Sequence, residues 1–128
     1  MKHINEVSFD IIGAAIRIHR RLGPGLLESP YHDLLRRDLV RVGYSVESKK
    51  RVGFDFEGSW IENGLTTDLI VDRRIIVEIK VAKAVAQVHE RQLLTYLRLT
   101  GLNLGLLINF GGDILYRNVR RLINGKLE

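Results

Sequence analysis

The amino-acid sequence predicts an α/β sandwich: a central mixed β-sheet flanked by α-helices. Two observations carry this. Segments with apolar residues at helical spacing open the chain, and a β-rich stretch rich in alternating and continuous apolar runs follows them. A further helical segment then precedes two more strand-like segments, so the order is helix, helix, several strands, helix, strand, strand.

The first helix spans about residues 8–22, with Ser8 as its cap. Ile11, Ile12, Ala15, Ile16 and Leu22 form its apolar face, and Gly23-Pro24-Gly25 stops it. The second begins between residues 26 and 30 and runs to about 42. Pro30 suits a first turn, Ser29 is a candidate cap, and Leu34, Leu35, Leu39 and Val42 make the buried stripe. Gly43 is the expected stop.

Residues 44–56 read as one bent strand or two short ones, broken at Gly53. Gly58 and Asn63-Gly64 mark turns. Residues 65–71 and 75–81 read as two strands joined at Asp72-Arg73-Arg74. A helix over about 84–100 ends at Gly101. The run 104–110 is almost wholly apolar, as a strand buried on both faces would be. After Gly111-Gly112, a last short strand covers about 119–123, closed by Asn124-Gly125.

The chain has 128 residues, 45% of them hydrophobic, which is enough for a core and suggests one domain. With no cysteine, it has no disulfide, thiolate zinc site, iron–sulfur cluster or cysteine nucleophile. No apolar run approaches the roughly 20 residues of a membrane helix, and the N-terminal stretch lacks a signal-peptide pattern. A soluble, cytoplasmic protein is expected. The formal net charge is +5, and arginines and lysines cluster at residues 17–21, 36–41, 49–51 and 117–121. Such a surface suits a polyanion such as nucleic acid, or serves solubility alone.

The stretch DLIVDRRIIVEIK carries Asp68, Glu78 and Lys80 on segments that otherwise look like core. A three-residue loop at 72–74 sets Val71 against Ile75, Ile70 against Ile76, Leu69 against Val77, and Asp68 against Glu78. Alternation then places Asp68, Ile70, Ile76, Glu78 and Lys80 on one face. Leu69, Val71, Ile75, Val77 and Ile79 take the other, which must be core. Opposed side chains have Cβ atoms about 4.5–5.5 Å apart, a distance at which like charges destabilise a sheet. A divalent cation is the simplest compensation, because magnesium is held by one or two carboxylates with water and phosphate. Lys80 beside it could steady a phosphate or an attacking hydroxide. The bland reading is a solvated strand face, and a one-residue slip of register would produce it.

On the next helix, Gln92 and Tyr96 share a face at i and i+4, with His89 one turn earlier. They could hold a water, carboxylate or phosphate, or form an ordinary polar edge. Glu28 and Tyr31 stand at i and i+3, and Glu28 near a helix start is explained by the macrodipole. His19, His32 and His89 have no zinc spacing and read as surface or packing residues. No phosphate-binding glycine loop or nucleophile elbow is present.

Gly25-Leu26-Leu27-Glu28-Ser29-Pro30-Tyr31 matches a G-x-x-E-x-x-Y signature. Further matches run through GAAIRIHRRLGPGLLE, DLIVDRRIIVEIK, VHERQLLTYLRLTGLNLGLLINFG and INGKL. In these stretches the chain resembles the GxxExxY proteins, a branch of the PD-(D/E)XK nuclease superfamily. The resemblance implies a restriction-endonuclease-like core over residues 1–128. It implies that Glu28 helps position metal or water, that Asp68 and Glu78 ligate the metal, and that Lys80 is the catalytic ammonium. It also implies that the Ile79 carbonyl completes the metal shell, and that Gln92 and Tyr96 orient the site and contact substrate. The activity implied is nucleic-acid hydrolysis, on DNA in first place, with Mg2+ or Mn2+ and products bearing a 5′-phosphate. For so small a core, a homodimer mate or partner protein is also expected.

Two positions depart from the family pattern. Thr67 replaces the proline before the first acid, and Thr66 stands where an arginine is frequent. The rival to an enzyme is a non-catalytic module that binds nucleic acid or a partner on the same scaffold. A structural or signalling protein with no nucleic-acid role is a third reading, against which the net charge argues mildly.

Overall fold

A computed structural model of the protein describes residues 2–127. Three helices, α1 (Ile4–Leu22), α2 (Glu28–Arg41) and α3 (Gln87–Thr100), pack against a five-stranded sheet. The strands are β1 (Val46–Phe56), β2 (Ser59–Val71), β3 (Ile75–Lys80), β4 (Leu104–Asn109) and β5 (Val119–Ile123), and they lie in sequence order across the sheet. A single 3₁₀ turn, Leu115–Asn118, leads into β5. All neighbours are antiparallel except β3 and β4, which are parallel because α3 carries the chain back between them. This mixed, helix-flanked sheet is the α/β arrangement expected of a restriction-endonuclease-like core.

The two faces of the sheet are buried by different helices. Leu69, Val71, Ile75, Val77 and Ile79 join Val7, Ile11, Leu35 and Leu39 of α1 and α2 in the larger core. Ile70 and Ile76 join Leu93, Leu97 and Leu107 in a smaller core under α3. The expected division of the hairpin into two faces therefore holds. Its register holds too: Val71 pairs with Ile75, Ile70 with Ile76 and Leu69 with Val77.

Several expectations change. Helix α1 starts one turn earlier than Ser8, because His3 Nδ1 accepts the Asn5 amide at 3.0 Å and the buried Ile4 and Val7 anchor the first turn. Ser8 is buried inside the helix and donates to the Asn5 carbonyl. Leu22 of α1 is exposed, as are Leu34 and Val42, and Tyr31 takes the place in the core that the stripe on α2 assigned to the latter two. Ser29 does not cap α2, which begins at Glu28 after Leu27. Asn63-Gly64 is no turn between strands but an irregularity inside β2, where the β1 register shifts between Val52 and Phe54. A Cβ on Gly64 would lie 2.3 Å from the Phe54 ring, which would have to shift. Helix α3 starts at Gln87 rather than near 84; of the two roles expected for His19 and His32, surface or packing, burial leaves packing.

Beyond Lys80 the chain turns under a clamp. Asn109, fully buried at the end of β4, accepts the Ala82 and Gly111 amides and donates to the Ala82 carbonyl, each at 2.9 Å. A Cβ on Gly111 would stand 2.4 Å from the Ala82 carbonyl oxygen. Gly111→Ala should therefore cost about 1–3 kcal/mol. Gly13→Ala, in α1 with nothing within 4 Å of the new Cβ, should gain roughly 0.5–1 kcal/mol. Urea unfolding of both variants beside wild type checks this pair of opposite signs.

Candidate active site

Strand β3 is buried for five residues, Glu78 among them, so this carboxylate is tolerated only with hydrogen bonds or a compensating charge. Asp68 and Glu78 lie where β2 and β3 stop pairing. The ladder closes with Leu69 and Val77, and beyond it the side chains take over the backbone's partners. The Asp68 amide donates to Glu78 Oε2 at 2.7 Å, and the Ile79 amide donates to Asp68 Oδ2 at 2.8 Å. Each carboxylate is thus held by the other's strand. Among the described residues, Asp68 Oδ1 and Glu78 Oε1 accept no hydrogen bond.

Glu78 is only 5% exposed. Burial pushes its carboxyl from the ordinary 4.5 up to about 7, and the Asp68 charge adds to the push. The hydrogen bond from the Asp68 amide and the Lys80 ammonium oppose it, while Glu28 adds a smaller repulsion. Asp68, Glu78, Lys80 and Glu28 therefore share one electrostatic environment. Helix α2 delivers Glu28 in its first turn, where a carboxylate suits the helix dipole.

Tyr31 explains how α2 is set. Its hydroxyl donates to the Gly23 carbonyl and accepts the Leu26 amide at 3.2 Å, and its ring stacks on Phe110 at 4.4 Å. The tyrosine of the signature thus fixes the loop that presents Glu28. His32, read from sequence as a surface or packing residue, adds a second tie. Its Nε2 lies 3.0 Å from the Asp68 carbonyl and 3.2 Å from Ser48 Oγ, joining α2 to β1 and β2 at the acid. Its signal in the sequence was adjacency to Tyr31. Asn109, also missed, is visible only as a lone polar residue closing the run LGLLIN.

Helix α3 brings Gln92 and Tyr96 together as expected, Gln92 Nε2 donating to Tyr96 Oη at 3.3 Å. Burial first, then the Glu78 and Asp68 charges, raise the Tyr96 hydroxyl's pKa, against hydrogen bonds from Thr66 and Gln92. Tyr96 therefore stays protonated as a donor, within the field of both acids. His89 stands apart: its Nδ1 accepts the Ala86 amide at 3.4 Å and caps α3.

The donor set suits a hard divalent cation with few protein ligands. Two carboxylates of like charge, each with one oxygen spare, match magnesium's habit of taking one or two carboxylates and keeping water. They do not form a full protein cage: among the described residues, no three His, Cys, Asp or Glu side chains converge. Glu28 is thus felt by Glu78 without joining such a cluster.

The sequence profile of the PD-(D/E)XK nuclease superfamily matches residues 5–122. The chain belongs to this superfamily. No curated protein and no solved structure matches it. The superfamily's nucleases usually use divalent metals, and the membership supports a nuclease-like function. No helix among the described residues is long and apolar enough to cross a membrane.

The Glu78 shift has a consequence for stability without metal. Its folded pKa lies above the ordinary value, so the folded state binds more protons between 4.5 and about 7. Stability from this group is full below about pH 4.5 and is lost as pH rises through 7, by on the order of 3 kcal/mol. Glu78→Gln should remove that slope, and should exceed wild type in stability at pH 8 but not at pH 5. Urea unfolding in EDTA across this range checks it.

Proposed function

We propose that the protein is a magnesium-dependent nuclease of the GxxExxY branch, hydrolysing phosphodiester bonds of nucleic acid, DNA in first place. On this reading residues 1–128 act as one PD-(D/E)XK nuclease-like domain. The observation that carries it is the crossed carboxylate pair at the end of β3 with a lysine two residues on.

Asp68 and Glu78 would hold the cation, with the Ile79 carbonyl completing the set and Glu28 acting through water. Mg2+ or Mn2+ bound there would supply a water of lowered pKa and a polarised phosphoryl oxygen. Lys80 provides the ammonium against which the negative charge of the transition state develops. Tyr96, kept protonated, donates to a phosphate oxygen or water, and Gln92 holds it in place.

Arg51, exposed on β1 directly opposite Thr66, offers a guanidinium from the neighbouring strand in place of an arginine at position 66, and would grip a phosphate of the substrate.

A second reading keeps the scaffold and omits the turnover: a non-catalytic module that binds nucleic acid or a partner. The two readings separate on labelled single- and double-stranded DNA and RNA with magnesium, manganese or EDTA.

Metal-dependent cleavage is expected, falling about 10²-fold or more in Lys80→Ala and in Glu78→Ala, with Lys80→Ala still binding the polymer. Binding by folded wild type without cleavage in either metal establishes the second reading instead. Arg51→Ala should weaken binding and reduce the slope of log affinity against log salt by about one.

A further inference from the structure

Two surface features on opposite sides of the sheet fit each other, and neither belongs to the site described above. The first is a cleft of about 480 Å³ between α1 and α2, lined by Arg17, Arg21, Arg37 and Arg41. Its only acid is Asp38, which Arg17 and Arg41 already share. Asp33 pairs with Arg37 but equally with Arg36, so it leaves the balance positive. Between the guanidiniums, Leu22 and Leu34 are partly exposed and make an apolar floor.

The second is the tip of the β1–β2 hairpin. Only the last three residues of β2 pair with β3, so residues 59–68 are paired with β1 alone. The strands turn at Glu57-Gly58, both at positive φ. Phe56 and Trp60 flank that turn, each 61% exposed, with Ile61 beside them. Asp55, Glu57 and Glu62 lie among them, and no lysine or arginine occurs between residues 52 and 72. Among the described residues, none of these three acids forms an ion pair.

A basic cleft with an apolar floor and an acidic tip carrying two aromatics are complementary in charge and in polarity. A nucleic-acid backbone would satisfy the arginines but would have no use for the leucine floor. The tip cannot fill the cleft of its own chain. It adjoins the C-terminal end of α3, across a second cleft that Trp60 lines with Leu99 and Leu102. The arginine cleft is on the α1–α2 layer, against the other face of the sheet.

We propose that the hairpin tip of one copy docks in the α1–α2 cleft of a second copy. Trp60 lies on the leucine floor, Asp55 and Glu62 on its side of the hairpin meet the arginines, and Phe56 covers the opposite side of the tip. The inference does not rest on the nuclease reading. Two aromatics that would bury ~150–250 Å² each if fully exposed make a small contact, so association is weak and concentration-dependent. Its ionic part weakens with salt.

The experiment is sedimentation of the full chain at increasing concentration, read beside the fluorescence of Trp60, the single tryptophan. A concentration-dependent rise in mass with a blue shift of Trp60 emission is expected, both reversed by high salt. A tip variant, Phe56→Ser with Trp60→Ser, and a cleft variant, Arg21→Glu with Arg37→Glu, should each be monomeric. All four side chains are exposed, and circular dichroism confirms that both variants are folded.

Mixing the two variants should restore one contact, because the cleft variant keeps its tip and the tip variant keeps its cleft. The emission of the remaining Trp60 should then shift to the blue. A wild type that stays monomeric at several hundred micromolar overturns the proposal. So does association that persists in either variant, or a mixture that does not associate. Loss of oligonucleotide binding in the cleft variant with unchanged self-association assigns the cleft to nucleic acid and also overturns it.

Discussion

Two like charges share the end of a buried hairpin, and each is held by the backbone of the other strand. The amide of Asp68 is satisfied by Glu78, and the amide of Ile79 by Asp68. The bonds do what a further rung of the ladder would do, while leaving one oxygen of each carboxylate uncommitted. Hydrogen bonding lets Glu78 remain at 5% exposure, yet it does not cancel the cost. The carboxyl is still pushed up to about 7, chiefly by burial. The apolar layers on either side of β3 thus impose a desolvation cost on Glu78, to which the Asp68 charge adds.

The flanking helices serve this pair in different ways. Helix α2 is locked by the aromatic stack of Tyr31 on Phe110 and by the Tyr31 hydroxyl on the Gly23–Leu26 loop. His32 then reaches the Asp68 carbonyl, so the helix that brings Glu28 is tied to the strand that brings Asp68. Helix α3 closes the other face with Leu93 and Leu97, and from the same helix Gln92 and Tyr96 join the edge of the site. The Asn109 clamp determines how the chain leaves Lys80 toward α3. A protonated tyrosine within the field of two acids thus rests on one packing scheme.

Charge is distributed unevenly over the outer surface. Arginines collect on the α1–α2 layer, while the β1–β2 tip has acids and exposed aromatics and no base. The net charge of +5 describes neither region. Bulk charge thus averages over surfaces of opposite character.

The sequence by itself determined the hairpin. A three-residue loop with strict alternation pairs Leu69 with Val77 and puts Asp68, Glu78 and Lys80 on one face, and the observed register is that one. It also determined the element order, the last strand, the stop at Gly101 and the Gln92–Tyr96 pair, all local or periodic features. It could not determine which helix buries which residue. Leu34 and Val42 have the right spacing and are exposed, while Tyr31 is core because Phe110, 79 positions away, offers a ring to stack on. Nor could it reveal His32 on the Asp68 carbonyl, Asn109 under Ala82, or Arg51 opposite Thr66. Each depends on a contact between segments far apart in the chain, and such contacts exist only after the layers have packed.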